Sequence, residues 1–151
     1  MKKRSDIAVY DADYVLQLVV EIKKQPDADT QWATQMRCNL HRYEVTPNAP
    51  YFLLALSDNF YLWKNSNSVG DKALPDYIIN ANGVLSPYFD QSCWSLNEIS
   101  QYSFEILVNN WINTLVDSEL NNEKMDKELA WLFDSGLYET IKHGSVRIDE
   151  I

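Results

Sequence analysis

The stretch Tyr14-Val15-Leu16-Gln17-Leu18-Val19-Val20-Glu21-Ile22-Lys23 decides how this chain folds. A strand with one solvated face alternates apolar and polar residues, whereas the run from Val15 to Val20 is nearly all aliphatic. It predicts a central strand buried on both faces, with Glu21 and Lys23 at the rim of the core. Upstream, Ile7-Ala8-Val9-Tyr10 is also rich in strand formers, and Asp11-Ala12-Asp13 supplies turn chemistry, so the two segments predict an antiparallel hairpin. Pro26 ends the longer strand.

Further along, Asp29-Thr30 has the character of a helix N-cap, and Gln31 to Arg42 follows with good helix formers, placing Trp32, Met36, Leu40 and Tyr43 along one side. Pro47-Asn48-Ala49-Pro50 breaks that helix. Tyr51 to Leu56 and Phe60 to Lys64 form a second predicted hairpin around Ser57-Asp58-Asn59, its first strand again apolar enough to be central. Residues 65–92 read as loop, with one short strand near Tyr77-Ile78-Ile79. Ser95-Leu96-Asn97-Glu98 matches a capping box, and Phe104, Leu107, Val108, Trp111 and Leu115 fall at helical spacing in a helix running to about residue 119. A helix from Lys124 to Phe133 and a shorter one before Gly144 leave Ser145 to Ile151 as a tail or strand. The fold class is α/β with a mixed sheet. Residues 1–151 form a single domain: a core over 1–64, a loop region over 65–92 and a mainly helical part over 93–151.

With 46% hydrophobic and 23% charged residues in 151, the chain can bury a core, which excludes a disordered tail. Its apolar runs are far shorter than the roughly 20 residues that span a bilayer, and polar residues follow Met1-Lys2-Lys3-Arg4, so a soluble, cytoplasmic protein is expected. Only Cys38 and Cys93 occur, too few for a disulfide framework or a cysteine zinc site. The net charge of -9 opposes a surface that attracts nucleic acid everywhere. The charge is uneven, however: residues 1–43 carry seven Lys/Arg against six acids, and residues 44–151 carry six against sixteen. The first third can therefore tolerate an anionic partner.

Chemistry concentrates at Asp6, Glu21 and Lys23. Side chains two apart on a strand share a face, so Glu21 and Lys23 present a carboxylate beside an ammonium. A carboxylate can hold Mg²⁺ through oxygen, and a nearby lysine can orient a water and stabilise charge developing on a phosphate. The second carboxylate is Asp6 on the neighbouring strand. If Tyr10 pairs with Val15, Asp6 pairs with Val19 and faces the same way as Glu21; a one-residue slip turns it to the opposite side.

Ser5-Asp6 at the start of one strand, a short turn, Val19-Val20-Glu21-Ile22-Lys23 at the end of the next, then a helix and another buried strand together resemble the PD-(D/E)XK superfamily of restriction-endonuclease-like nucleases. The resemblance covers roughly residues 5–64, with Ser5 where the family's name-giving proline stands. It is closest to small stand-alone bacterial members, in which the Glu-x-Lys strand precedes a Trp-containing helix, here Gln31 to Arg37, and an apolar strand with a Phe-Tyr-Leu-Trp partner, here residues 60–63. It implies Mg²⁺ (or Mn²⁺) held by Asp6 and Glu21, an accessory catalytic role for Lys23, and hydrolysis of phosphodiester bonds in nucleic acid, with Gln35 and Arg37 contacting substrate or supporting the site. The superfamily core opens with a helix and a strand, whereas five residues precede Asp6 in this chain. An open sheet edge there predicts a homodimer or a partner subunit.

Other readings of the same residues stand beside this one. Glu21 and Lys23 at a strand end also suit a solvated rim or a structural ion pair. His41 and His143 have no second His or Cys at metal spacing and read as surface residues. Trp63, Trp94, Trp111 and Trp131 read as core more than as base-stacking platforms. The alternative function is a non-catalytic interaction or assembly module of the same fold, or an accessory subunit.

Overall fold

A computed structural model describes residues 5–43, 45–90, 92–121 and 126–148. The long apolar stretch forms β2 (Leu16–Lys23), paired antiparallel with β1 (Ile7–Tyr10). The turn between them is made by Asp11, whose Oδ1 accepts the backbone N–H groups of Asp13 at 2.9 Å and Val15 at 3.0 Å. The chain then enters helix α1 (Thr30–Arg42), with the Asp29 carboxylate accepting the N–H of Trp32 at 2.8 Å as its N-cap. Strand β3 (Tyr51–Leu56) returns parallel to β2, as a strand–helix–strand crossover requires, and β4 (Asn59–Trp63) and β5 (Tyr77–Asn80) continue as an antiparallel meander. A last strand, β6 (Ser145–Ile148), pairs antiparallel with β1. Among the described residues the sheet is mixed and six-stranded, in the order β5-β4-β3-β2-β1-β6.

Helices cover both faces. On one side α1 packs Ala33 and Leu40 onto Val19, Phe52, Leu54, Leu56, Tyr61 and Trp63. On the other, short helix α2 (Ala81–Leu85), long helix α3 (Gln101–Asp117) and short helices α4 (Trp131–Asp134) and α5 (Leu137–Ile141) cover the alternate residues Leu18, Val20 and Ile22 of β2 and their neighbours. Strands β2 and β3 are thus sandwiched between helical layers, which is why their sequences run apolar without alternation. Among the described residues, no helix is long and apolar enough to cross a membrane.

Three expectations need revision. Helix α3 starts at Gln101 instead of just after Ser95, because Ser95 donates its hydroxyl to the Glu98 carboxylate at 2.9 Å and closes only a single turn. Ser100 is the true cap, accepting the N–H of Ser103 at 3.1 Å. The predicted helix from Lys124 begins outside the described residues, and from Asp126 onward the chain forms a 3₁₀ turn at Lys127–Leu129 followed by α4. On α1 the buried residues are Ala33, Arg37, Cys38 and Leu40, while Tyr43 is 66% exposed.

The open edge next to β1 does not occur. Residues Ser145–Ile148, read from sequence as a tail or strand, occupy it in the register Ile7 with Ile148 and Tyr10 with Ser145. The reason given for a homodimer is therefore removed by the chain's own last strand.

Candidate functional site

The site is built at the end of β2. In the observed register Ile7 lies opposite Val20, two residues on from the predicted pairing: Tyr10 pairs with Leu16 instead of Val15, and an irregularity between Val9 and Tyr10 takes up one residue more. A shift of two conserves which face each residue occupies. Continued by one residue, this register carries Asp6 to the level of Glu21 instead of Val19. Glu21 and Lys23 share the face of Val19, with Glu21 half-buried and Lys23 exposed.

Asp6 reaches this end from just outside β1. Its Oδ2 accepts the backbone N–H of Ile22 at 2.7 Å. That N–H projects within the sheet toward β1, so the carboxylate lies beside the Glu21–Ile22 peptide, at the edge of the strand, and not above the Glu21 face. The structure thus brings Asp6 to the Glu-x-Lys segment through its backbone. The side chain also borders a cleft of about 210 Å³ on the α3 side, shared with Ile22, Tyr102, Glu105, Ile106 and Asn109. Burial raises the pKa of the Glu105 carboxyl above the usual carboxylate range, and the Asp6 charge pushes the same way; a hydrogen bond from Gln101 opposes both.

Among the described residues no three His, Cys, Asp or Glu side chains gather into a metal-binding group. A Mg²⁺ ion bound by one or two carboxylates, with water and substrate phosphate completing its shell, does not require such a group. Asp6 and Glu21 supply hard oxygen donors of the right kind, and the Ile22 hydrogen bond fixes the direction of one of them. The donor chemistry suits the ion, but the expectation that Asp6 faces the same way as Glu21 is not met: the Ile22 amide and the α3-side cleft hold the Asp6 carboxylate, while Glu21 lies on the Val19 face under α1.

Gln35 and Arg37 stand apart. Gln35 is exposed and donates to Asn39 Oδ1 at 3.0 Å along its own helix. Arg37 is fully buried. Its guanidinium donates to the Ser66 carbonyl at 3.1 Å, to Ser66 Oγ at 3.1 Å and to the Gly70 carbonyl at 2.9 Å, and it lies 5.5 Å from the Trp63 ring centroid. It ties the loop after β4 to α1. Sequence offered no hint of this, since an arginine on an amphipathic helix normally faces water. His41 is half-buried instead of a free surface residue, with Nδ1 3.0 Å from the Arg37 carbonyl and its ring edge-on to Phe52. The hydrogen bond places the proton on Nδ1. Burial lowers its pKa below the ordinary imidazole value, the Arg37 charge adds to this, and the Arg37 carbonyl opposes it.

Sequence reasoning missed Glu105 and Gln101. Both reach the site from α3, about eighty residues after β2, and only the fold brings them there. Placing the helix start at Ser95 also hid Gln101, which is the first residue of α3 and not an interior one. No protein family, curated protein sequence or solved structure matches this chain.

Proposed function

We propose that the chain is a divalent-cation-dependent nuclease of the restriction-endonuclease-like type, cleaving phosphodiester bonds in nucleic acid. Asp6 and Glu21 hold Mg²⁺ or Mn²⁺, and Lys23, on the Glu21 face, orients water and balances negative charge on the phosphate. The ion, when bound, supplies Lewis acidity and a more acidic water. What supports this is one observation: the Asp6 carboxylate accepts the Ile22 N–H at 2.7 Å, which brings it to the strand end that carries Glu21 and Lys23. The test is hydrolysis of single- and double-stranded oligonucleotides with Mg²⁺ or Mn²⁺ and with chelator. Activity that needs metal and vanishes in Asp6→Asn, Glu21→Gln and Lys23→Ala supports the proposal, and activity retained by all three variants removes it.

A second function, a non-catalytic interaction or assembly module, is favoured by the same hydrogen bond together with the net charge. The Asp6 carboxylate already has a structural partner in the Ile22 amide, and the chain's charge of -9 suits a basic protein partner better than a nucleic acid. In that case the wild-type protein neither binds Mn²⁺ nor hydrolyses any oligonucleotide.

A further inference from the structure

Strand β1 begins at Ile7, opposite Val20, so the last residues of β2 have no strand partner on that side within the hairpin. The N–H and C=O of one strand residue point the same way, and those of the residue two further on do likewise. Ile22 N–H, Ile22 C=O and Lys24 N–H therefore all project toward the missing continuation of β1. Side chains meet all three. Asp6 Oδ2 accepts the Ile22 N–H at 2.7 Å, Gln101 Nε2 donates to the Ile22 carbonyl at 3.0 Å, and Gln101 Oε1 accepts the Lys24 N–H at 2.7 Å. The carboxamide of Gln101 acts as a short piece of strand, with donor and acceptor held in one plane. A carboxylate has no donor for Ile22, and a lysine has no acceptor for Lys24.

We propose that Gln101 is a positioning residue for the candidate site, fixing the backbone from which Glu21 and Lys23 project. This rests on the nuclease function proposed above. The bonds to Ile22 and Lys24 bracket Lys23 and hold its peptide units in extended conformation, which keeps Glu21 and Lys23 on one face. Gln101 reaches them from the first residue of α3, a helix whose Phe104, Val108 and Trp111 are anchored in the core, so the clamp is as rigid as that helix. A displacement of about 1 Å in a reacting group costs up to roughly a hundredfold in rate, so backbone freedom at this point reaches the chemistry even though Gln101 does not.

The experiment uses the full chain with Gln101→Met, which keeps the shape and removes both hydrogen bonds, and Gln101→Glu, which keeps the acceptor for Lys24. Amide hydrogen exchange at Lys24 reports the clamp itself. Calorimetry with Mn²⁺ and the separate kcat and KM for an oligonucleotide, measured well below each variant's melting temperature, report the site. In Gln101→Met the Lys24 amide should exchange at least tenfold faster, and kcat should fall about tenfold with KM within about twofold; Gln101→Glu should keep Lys24 protected and recover part of kcat. A Gln101→Met protein with a fast-exchanging Lys24 amide but wild-type Mn²⁺ affinity and kcat overturns the positioning role. A wild-type protein that binds no Mn²⁺ and cleaves nothing overturns the nuclease function instead. The Lys24 exchange difference then persists, and Gln101 is a structural clamp alone.

Discussion

The Asp6 carboxylate meets the Ile22 backbone amide at 2.7 Å, one step beyond the last β1–β2 pair, Ile7 with Val20. Asp6 therefore closes the ladder, a duty separable from holding a cation, because asparagine keeps an acceptor for the amide and loses the charge. Asp6→Ala leaves that N–H without its acceptor and should cost about 1–3 kcal/mol, whereas Asp6→Asn should cost less than about 1 kcal/mol. Both should lose Mn²⁺ binding. Urea unfolding and calorimetry on the two variants check this, and wild-type metal affinity in both would remove Asp6 from the metal site.

The strand end and the strand centre should respond in opposite ways. Lys23 is exposed and Glu21 half-buried, while Val19, on the same face, is completely buried under α1. Glu21→Gln and Lys23→Ala should abolish hydrolysis with a melting temperature within a few degrees of wild type. Val19→Asp should unfold the domain, since an unpaired charge in that layer costs several kcal/mol against a total stability of about 5–15 kcal/mol. A large loss of stability in Lys23→Ala would mark the pair as structural.

The hairpin, the crossover helix and the meander were legible because each follows from local chemistry: aliphatic runs, Asp11 in the turn, Asp29 at the N-cap. The level of Asp6 was not, since it depends on Tyr10 pairing with Leu16 instead of Val15 and on an irregularity between Val9 and Tyr10, neither of which any residue type announces. Arg37 escaped for another reason. Its burial depends on carbonyls at residues 66 and 70 that turn inward only in the folded loop. Asp6, Glu21 and Lys23 are candidates that residue type and spacing suggest, whereas Gln101 reaches the Ile22 backbone, and Glu105 the α3-side cleft beside Asp6, through tertiary packing alone.

Arg37 gives a stability prediction independent of function. Arg37→Ala strands the Ser66 and Gly70 carbonyls and opens a void beside Trp63, so a loss of about 3–5 kcal/mol is expected. Arg37→Lys should recover only part of it, because an ammonium cannot reproduce the planar fork that reaches Ser66 and Gly70 together. Chemical denaturation measures both. An Arg37→Ala protein of near wild-type stability would release Arg37 for a role in substrate binding.

His41 sets a pH dependence whose sign is fixed by its lowered pKa. The folded protein binds the proton less readily than the unfolded chain, whose imidazole titrates near 6.5. The unfolded state therefore holds more protons once the pH drops below that value, and stability is complete above it and declines as the pH falls toward the folded pKa. Unfolding followed between pH 8 and 5 should show this decline, and His41→Gln should flatten it. An unchanged profile in His41→Gln would assign the acid sensitivity to other groups.

Gly144 controls the β1 edge that β6 covers. It stands just before β6, and a Cβ there would collide with the carbonyl of Tyr10, the β1 residue that pairs with Ser145. No rotamer relieves a clash of backbone with Cβ, so Gly144→Ala must push the start of β6 away from β1 or distort both. Strain of this kind costs about 1–3 kcal/mol. The consequence reaches beyond stability, because separating β6 bares the hydrogen-bonding edge of β1, and an unpaired edge recruits other chains. Gly144→Ala should therefore melt lower than wild type and show light scattering that rises with concentration, while the wild-type protein, with β1 covered by its own strand, should not associate through this edge. A Gly144→Ala protein that matches wild type in both measurements would mean that β6 can shift to admit a side chain without releasing β1.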